Sequence, residues 1–356
     1  MSGRSTDLAG FAPALIDWQR RAGRKGLPWQ GSRDPYRVWL SEIMLQQTQV
    51  STVIGYYDRF LARFPDVKSL ALALEDEVMA LWSGLGYYSR ARNLLRCARV
   101  VVAEHGGEFP RSAALLEQLP GIGASTAAAI AAFCFGERIS IVDGNVRRVL
   151  GRLLSFKGDL ATSSAQRELW DLAQTLLPDD PRADDMVAYT QGLMDLGAGI
   201  CTRSKPACEA CPVSDICSSR AKGTQAHHPV KTRRAMRRHE SWWMLVLRAK
   251  QATGVQVWLE KRPVPGIWAG LMSVPVFADE ASALSLVPSG SHRVRHLPAV
   301  AHALTHRELR LHPLLIDDVA PESVSTCRMG QWVTVDVLAK VGLPTPVRSL
   351  LEQLPD

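Results

Sequence analysis

The sequence predicts a multi-domain chain, an all-α body over residues 1–217 followed by an α+β domain over 240–356. Three observations carry that prediction. Apolar residues recur at helical spacing through the first part, four cysteines close it at Cys217, and beyond a basic stretch the pattern changes to alternation. A length of 356 residues agrees, since a single core stops growing well before that size.

Taken in order, Pro35 to about Phe64 reads as one helical stretch, with Val38, Leu40, Ile43, Met44, Val50, Val53 and Ile54 on its apolar face and no internal proline. Helical segments follow at Asp76–Leu81, Ser89–Glu104, Ser112–Leu119, Ala124–Phe135, Gly144–Leu154, Ser164–Leu177 and Asp184–Gly197, punctuated by glycine and proline. Residues 218–239 hold seven Lys/Arg, three His and no acid. Such a run is a solvated linker, which is compatible with its lying along phosphates. Ser241–Arg248 and Val255–Glu260 read as strands joined through Ala252, Thr253 and Gly254; Arg307–Ile316 alternates like another strand, and a last helix spans Pro346–Leu354.

Net charge is +7, which suits a polyanionic partner without demanding one. Gln118–Gly136 runs without a charge, but Pro120, Gly121 and Gly123 and its many alanines exclude a membrane span. No export signal is visible at the N-terminus, so a cytoplasmic protein with cysteines as thiols or metal ligands is expected. Cys97, Cys134 and Cys327 are isolated and read as core residues.

Cys201, Cys208, Cys211 and Cys217 form C-x6-C-x2-C-x5-C. Thiolates this close repel one another unless a cation neutralises them, so a metal centre is implied. One compact loop with a single CxxC fits a cubane iron–sulfur cluster better than zinc, whose sites pair two chelate loops across a spacer; spacing alone leaves zinc as the alternative. Arg203 and Lys205 lie inside the widest loop, where a pinned backbone makes them rigid phosphate contacts. Leu119-Pro120-Gly121-Ile122-Gly123 separates two helical segments, and its glycines allow a tight turn with exposed amides. Asp143 precedes a helical run, where its pattern is that of an N-cap. Glu42 sits among Leu40, Ile43 and Met44, so its carboxyl takes either a surface seat or an apolar pocket with a raised pKa.

Leu27-Pro28-Trp29, Ser41-Glu42-Ile43-Met44-Leu45-Gln46-Gln47-Thr48, the run GLGYYSRARN at 84–93, the glycine hairpin, Val142-Asp143-Gly144-Asn145 and the four cysteines stand in one order. That set resembles the helix-hairpin-helix, iron–sulfur DNA glycosylases of the endonuclease III superfamily, and within them the MutY-type adenine branch. The resemblance covers nearly the whole chain. It implies one 4Fe-4S cluster on the four cysteines, a helix-hairpin-helix near 112–135, Glu42 as general acid and Asp143 as the second active-site carboxylate. By the same resemblance Gln47 is the wedge entering the duplex, with Thr48 and Tyr87 near the opposite base and Leu85 among the DNA-binding residues. Gln191 and Trp29 line an adenine pocket, and Gly121, Gly123, Ser125 and Asn145 sit at the DNA-facing hairpin and carboxylate helix. Glycosylases of this superfamily that also cleave the backbone carry a lysine where this chain has Ser125, so a monofunctional enzyme is implied.

Residues 240–356 resemble the C-terminal Nudix-like domain of that family, through Lys261-Arg262-Pro263, Gly266–Leu271 and Gly342-Leu343-Pro344. A working Nudix hydrolase needs a glutamate-rich helix to hold magnesium, and after Phe277 the chain offers only Asp279 and Glu280. Recognition of the base opposite adenine is the implied role. Leu304-Thr305-His306 stand where the family has F-S-H; losing the aromatic weakens the match, and a plain strand end is the other reading. The expected partner is double-stranded DNA with A:8-oxoG or A:G mispairs, met by a monomer with no membrane association. The competing readings are an endonuclease III-like glycosylase/AP lyase, a non-catalytic iron–sulfur DNA-binding protein and a zinc-stabilised hydrolase.

Overall fold

The computed structural model describes residues 8–232, 237–252, 254–287, 293–304, 306–325 and 329–354. It divides into two compact units, residues 1–71 with 96–234, and residues 72–95 with 235–356.

The first unit is helical. It holds α1 (Phe11–Ala22), α2 (Pro35–Leu45), α3 (Val50–Arg63) and α4 (Val67–Ala71). Helices α5 (Glu75–Trp82) and the start of α6 (Ser89–His105) belong to the other unit, and the end of α6 returns to the first. Then come α7 (Ala113–Leu116), α8 (Ala124–Ile130), α9 (Gly144–Leu153), α10 (Ser163–Thr175), α11 (Ala183–Asp195) and α12 (Ser218–Ala221). Helix α8 runs on as a π-turn over Ala131–Phe135, and α11 over Leu196–Ile200. Helix starts follow from capping. Asp34 accepts from the Tyr36 amide at 2.9 Å with Pro35 in the first turn, and Thr162 accepts from the Ala165 amide at 3.3 Å. Leu15, Val149, Leu150, Leu169, Tyr189 and Leu193 meet in one core, each fully buried side chain contributing about 1.5–3 kcal/mol. Helices α1 and α11 approach so closely that a Cβ on Gly192 would stand 3.0 Å from Leu15.

The continuous helix expected over Pro35–Phe64 is two helices. Chain direction changes at Gln46–Gln49, where Gln47 takes φ 57°, the Thr48 amide closes a turn on the Leu45 carbonyl at 3.3 Å, and Gln46 Nε2 donates to Thr126 Oγ1 at 3.2 Å. The apolar face has helical spacing on both sides of the break, and no glycine or proline marks it. That is why periodicity missed it. Gln46, Gln47 and Thr48 thus lie on a turn beyond α2 and not on one helix with Glu42. Sequence reading also missed α1, α4 and α12, the last lying within the stretch read as a linker.

The second unit is built on β1 (Arg238–Gln251), β2 (Gly254–Lys261), β3 (Met272–Ser273), β4 (Val276–Phe277), β5 (Val294–His296), β6 (Val300–Ala303), β7 (Arg307–Ile316) and β8 (Gln331–Thr334). Helices α13 (Glu280–Leu284), α14 (Pro321–Ser325) and α15 (Thr345–Glu352) complete it. The anticipated hairpin is present, β1 pairing antiparallel to β2 from Arg248↔Val257 to Gln251↔Gly254. Thr253 of its turn lies outside the described residues. The centre of the sheet is a parallel pairing of β1 with β7, from Arg238↔Arg307 to Leu247↔Ile316, so the sheet is mixed. Leu245, Leu247, Trp258 and Leu314 fill the core beneath it. Residues 72–95 are fastened to this unit by Lys261–Asp76 at 2.6 Å, Ser83 Oγ to the Leu343 carbonyl at 2.7 Å, and Arg92 to the Ala269 carbonyl.

Cys97 and Cys134 are buried, as expected; Cys327 lies outside the described residues. Among the described residues no helix is long and apolar enough to cross a membrane. Leu169→Ala, in the first core, is expected to cost about 2–5 kcal/mol in denaturant unfolding. Leu72→Ala, where Leu72 is 86% exposed, should stay within about 0.5 kcal/mol of the parent.

Candidate active site and cysteine loop

Helix α2 buries Ser41, Ile43 and Met44 against the core, and the same turn aims Glu42 into a cavity of about 520 Å³. Trp29, Leu45, Val50, Phe133 and Gln191 are among the other lining residues. Trp29 is itself buried and set edge-on to Tyr57, with ring centroids 5.4 Å apart. Glu42 is only partly exposed. Burial, with the nearby Asp143 charge adding to it, pushes its carboxyl from 4.5 up to about 8. At neutral pH Glu42 therefore carries a proton.

Asp143 caps α9, its Oδ1 accepting from the Val146 amide at 2.7 Å. Both roles considered for it are compatible with this placement: it is an N-cap, and its charge reaches Glu42 although it does not line the cavity. Burial raises its pKa. The amides of Val146 and Asn145 and the cations of Arg148 and Arg147 oppose the rise without cancelling it. Loss of water thus outweighs the capping amides at Asp143. Of the two carboxyls, Glu42 lines the cavity and is held near 8, which makes it the natural proton carrier.

Ser125, on α8, accepts from the Val142 amide at 3.2 Å, tying the hairpin helix to the segment that delivers Asp143. Gly121 holds φ 79°, where only glycine is unstrained. Nothing lies within 4 Å of where a Gly123 Cβ would sit, so that corner of the hairpin is open. Gln47 is exposed at φ 57°, and in the second unit Tyr87 is 44% exposed at φ 48°. Non-glycine residues held this way store strain of order 1–3 kcal/mol, a common feature of working sites. Thr48 is partly exposed and Leu85 is buried. Tyr87 lines a cavity of about 570 Å³ in the second unit together with Trp268, His302, Leu304 and His306. Leu304 and His306 flank the turn from β6 to β7; Thr305 lies outside the described residues.

The four cysteines line one small, almost wholly apolar cavity of about 30 Å³. Burial lifts the Cys211 thiol to about 11 and raises Cys217 too, so thiolates here require the positive charge of a metal. Arg152, only 3% exposed, donates to Cys201 Sγ at 3.4 Å and to the carbonyls of Thr202, Arg203 and Gln225 at 2.7, 3.0 and 2.9 Å. No carboxylate pairs with it among the described residues. A buried cation facing sulfur fits a cofactor of net negative charge, such as a cubane held by four thiolates. Arg148 bonds the Cys201 carbonyl at 2.8 Å, the Gly197 carbonyl at 2.6 Å and Asn145 Oδ1 at 2.8 Å, so the loop and the start of α9 are one hydrogen-bonded assembly. Arg203 and Lys205 are exposed on the loop. Arg24, Phe133, Arg148, Arg152 and Asp195 were not singled out from sequence; only the four-residue spacing of Gln191 and Asp195, and of Arg148 and Arg152, hinted that each pair shares a helix face.

An all-α body with a two-glycine hairpin, a protonated acid over a purine-sized cavity and a cysteine loop defines a base-excision DNA glycosylase class. Residues 40–175 match the HhH-GPD superfamily of base excision DNA repair proteins, 201–217 the iron-sulfur binding domain of endonuclease III, and 243–353 the NUDIX domain. The chain is 35% identical to the adenine DNA glycosylase of Buchnera aphidicola subsp. Baizongia pistaciae, covering 97% of this chain and 96% of that one. To the Homo sapiens adenine DNA glycosylase it is 33% identical, over 97% of this chain and 74% of the other. A thermostable thymine-DNA glycosylase structure superposes with TM-score 0.53 at 31% identity, over 60% of this chain and 97% of that one. A trapped endonuclease III–DNA intermediate, at 20% identity and TM-score 0.50, over 61% of this chain and 98% of that one, shares the fold. The chain belongs to the adenine DNA glycosylase family, hydrolases of N-glycosyl bonds, and its four-cysteine loop holds a 4Fe-4S cluster.

The sign of the Glu42 shift makes a stability prediction. The folded chain keeps this proton up to about 8 while an exposed glutamate releases it near 4.5, so this group's contribution to stability falls as pH rises between those values. Glu42→Gln should therefore be more stable than the parent, by a margin growing across that window to on the order of 1–3 kcal/mol, read as melting temperature against pH. Arg152→Met should lose the cluster's visible absorbance faster than the parent during incubation with an iron chelator; equal loss would show that the cation does not support the cluster.

Proposed function

We propose that this enzyme removes adenine mispaired with 8-oxoguanine or guanine in double-stranded DNA, acting as a monomer and by hydrolysis alone. The observation that carries the reading is the Glu42 carboxyl, protonated at neutral pH and facing a cavity large enough for a purine. Adenine leaves poorly until its ring is protonated, and Glu42 supplies that proton much as a glycosidase acid protonates a leaving oxygen. As the C1′–N9 bond breaks, positive charge grows on the sugar and the Asp143 carboxylate stabilises it. Water then completes the hydrolysis, with Glu42 now accepting a proton.

A base in a duplex cannot reach such a cavity, so the adenosine is extruded. The exposed, strained Gln47 is suited to fill the gap, with Thr48 beside it, and Trp29 and Gln191 take the adenine. The hairpin glycines Gly121 and Gly123 and the loop cations Arg203 and Lys205 hold phosphates. In this reading residues 1–217 are the catalytic domain, 218–239 the linker and 240–356 the reader of the opposite base. Support for the reader comes from one cavity that gathers Tyr87, Leu304 and His306.

Ser125 has no amine, and the only amine among the residues lining the Glu42 cavity is Lys25, whose Nζ donates to the Gln19 carbonyl at 3.3 Å. That favours hydrolysis over a Schiff-base lyase reaction; a borohydride-trapped adduct in high yield would contradict it. Glu42→Gln should lower adenine release about 10²–10⁴-fold with mismatch binding retained, and the parent's single-turnover rate should fall as pH rises through about 8. Release measured opposite 8-oxoguanine, guanine and cytosine tests the mispair assignment, which requires the first two to exceed the third.

A further inference from the structure

Gln191 and Asp195 stand one helical turn apart on α11, and Gln191 lines the Glu42 cavity. Asp195 is 3% exposed. Its Oδ2 accepts from the Arg24 amide at 3.0 Å, and its Oδ1 accepts from Arg24 Nε at 2.6 Å and from Gln191 Nε2 at 2.8 Å. Three donors from two residues converge on one buried carboxylate. Such a carboxylate accepts and does not donate. The Gln191 amide consequently has only one workable orientation. Its nitrogen must face Asp195, because the flipped amide would set an oxygen against a carboxylate oxygen. The loop that carries Arg24 is held in turn by Gln30, whose side chain donates to the Arg24 carbonyl at 3.0 Å and accepts from the Leu27 amide at 3.1 Å. Gln191 Oε1 is left as the end of the amide with no hydrogen-bond partner among the described residues, and it is not one of the fully enclosed polar atoms.

We infer that Asp195, clamped by Arg24, is a positioning residue that fixes the Gln191 amide with its oxygen toward the ligand, and thereby makes the pocket select a 6-amino purine over a 6-oxo purine. The exocyclic amine of adenine donates a hydrogen bond that Oε1 accepts. Hypoxanthine presents a carbonyl at the same position, and two acceptors then face each other. A polar group left unpaired in this way is penalised more than a matched pair is rewarded, so selectivity comes chiefly from rejecting the wrong base. Without the carboxylate the amide can turn its nitrogen inward and accommodate either base.

This inference rests on the proposed adenine excision at Glu42, and the test separates the two. Single-turnover release of adenine and of hypoxanthine, each opposite the same base, gives a selectivity ratio for the parent, for Asp195→Asn and for Gln191→Leu. Gln191→Leu leaves the buried Asp195–Arg24 pair intact, so it reports even where Asp195→Asn fails to fold. The ratio should fall on the order of tenfold in each folded variant. A ratio unchanged in both, with adenine and hypoxanthine release reduced in step, overturns the inference while leaving adenine excision standing. A fall in Gln191→Leu alone, with Asp195→Asn folded and its ratio unchanged, also overturns it, since Asp195 would then not set the amide's direction. A parent that releases no adenine would sink the excision reading itself, and the inference with it.

Discussion

The proposed chemistry depends on withholding water from one carboxyl. Glu42 sits on a helix whose neighbouring residues Ser41, Ile43 and Met44 are all buried, so its charged form has lost most of its hydration. Burial is the larger cause of its shifted pKa and the Asp143 charge the smaller. The ordering matters. A shift made mainly by desolvation is built into the packing of α2 and survives small movements of the second carboxyl, whereas one made by a single neighbour would not. The fold bears a stability penalty above the ordinary glutamate pKa to keep that proton, a trade-off in keeping with the acid role proposed for it.

Helix α9 joins the acid site to the cysteine loop. Asp143 caps its N-terminus, Arg148 bonds the backbone around Cys201, and Arg152, one turn further, bonds the Cys201 sulfur and the loop carbonyls. Asn145 closes the circuit by accepting from Arg148. A rigid element anchored at both ends holds its terminal carboxylate more closely than a loop could. A 4Fe-4S cluster on the four cysteines would carry net negative charge beside Arg152, whose guanidinium already ties the loop carbonyls together.

Much of this was legible in sequence where a residue type has few alternatives. Four cysteines in one loop, two glycines in a hairpin and an acid in an apolar run each restrict the chemistry by themselves. The hairpin of β1 and β2 followed from alternation, but the parallel pairing of β1 with β7 joins segments some 70 residues apart and leaves no local trace. The break between α2 and α3 was hidden because the bond from Gln46 to Thr126, which supports it, is also long-range. The balance at Asp143 is not legible in sequence for a related reason. Capping amides are local and readable, while the burial that outweighs them is a property of the folded whole. Nothing in the sequence beyond its spacing from Gln191 marks Asp195, because its three donors are brought together only by the fold.

The most direct test is a pH titration of the Glu42 side chain itself, followed by carbon NMR of selectively labelled glutamate and assigned by comparison with a protein lacking that residue. The account predicts a midpoint near 8, which moves down in part, but not back to 4.5, when Asp143 is made neutral. A midpoint near 4.5 in the parent would mean that the carboxyl is hydrated and ionised at neutral pH, and the acid role assigned to it would have no physical basis.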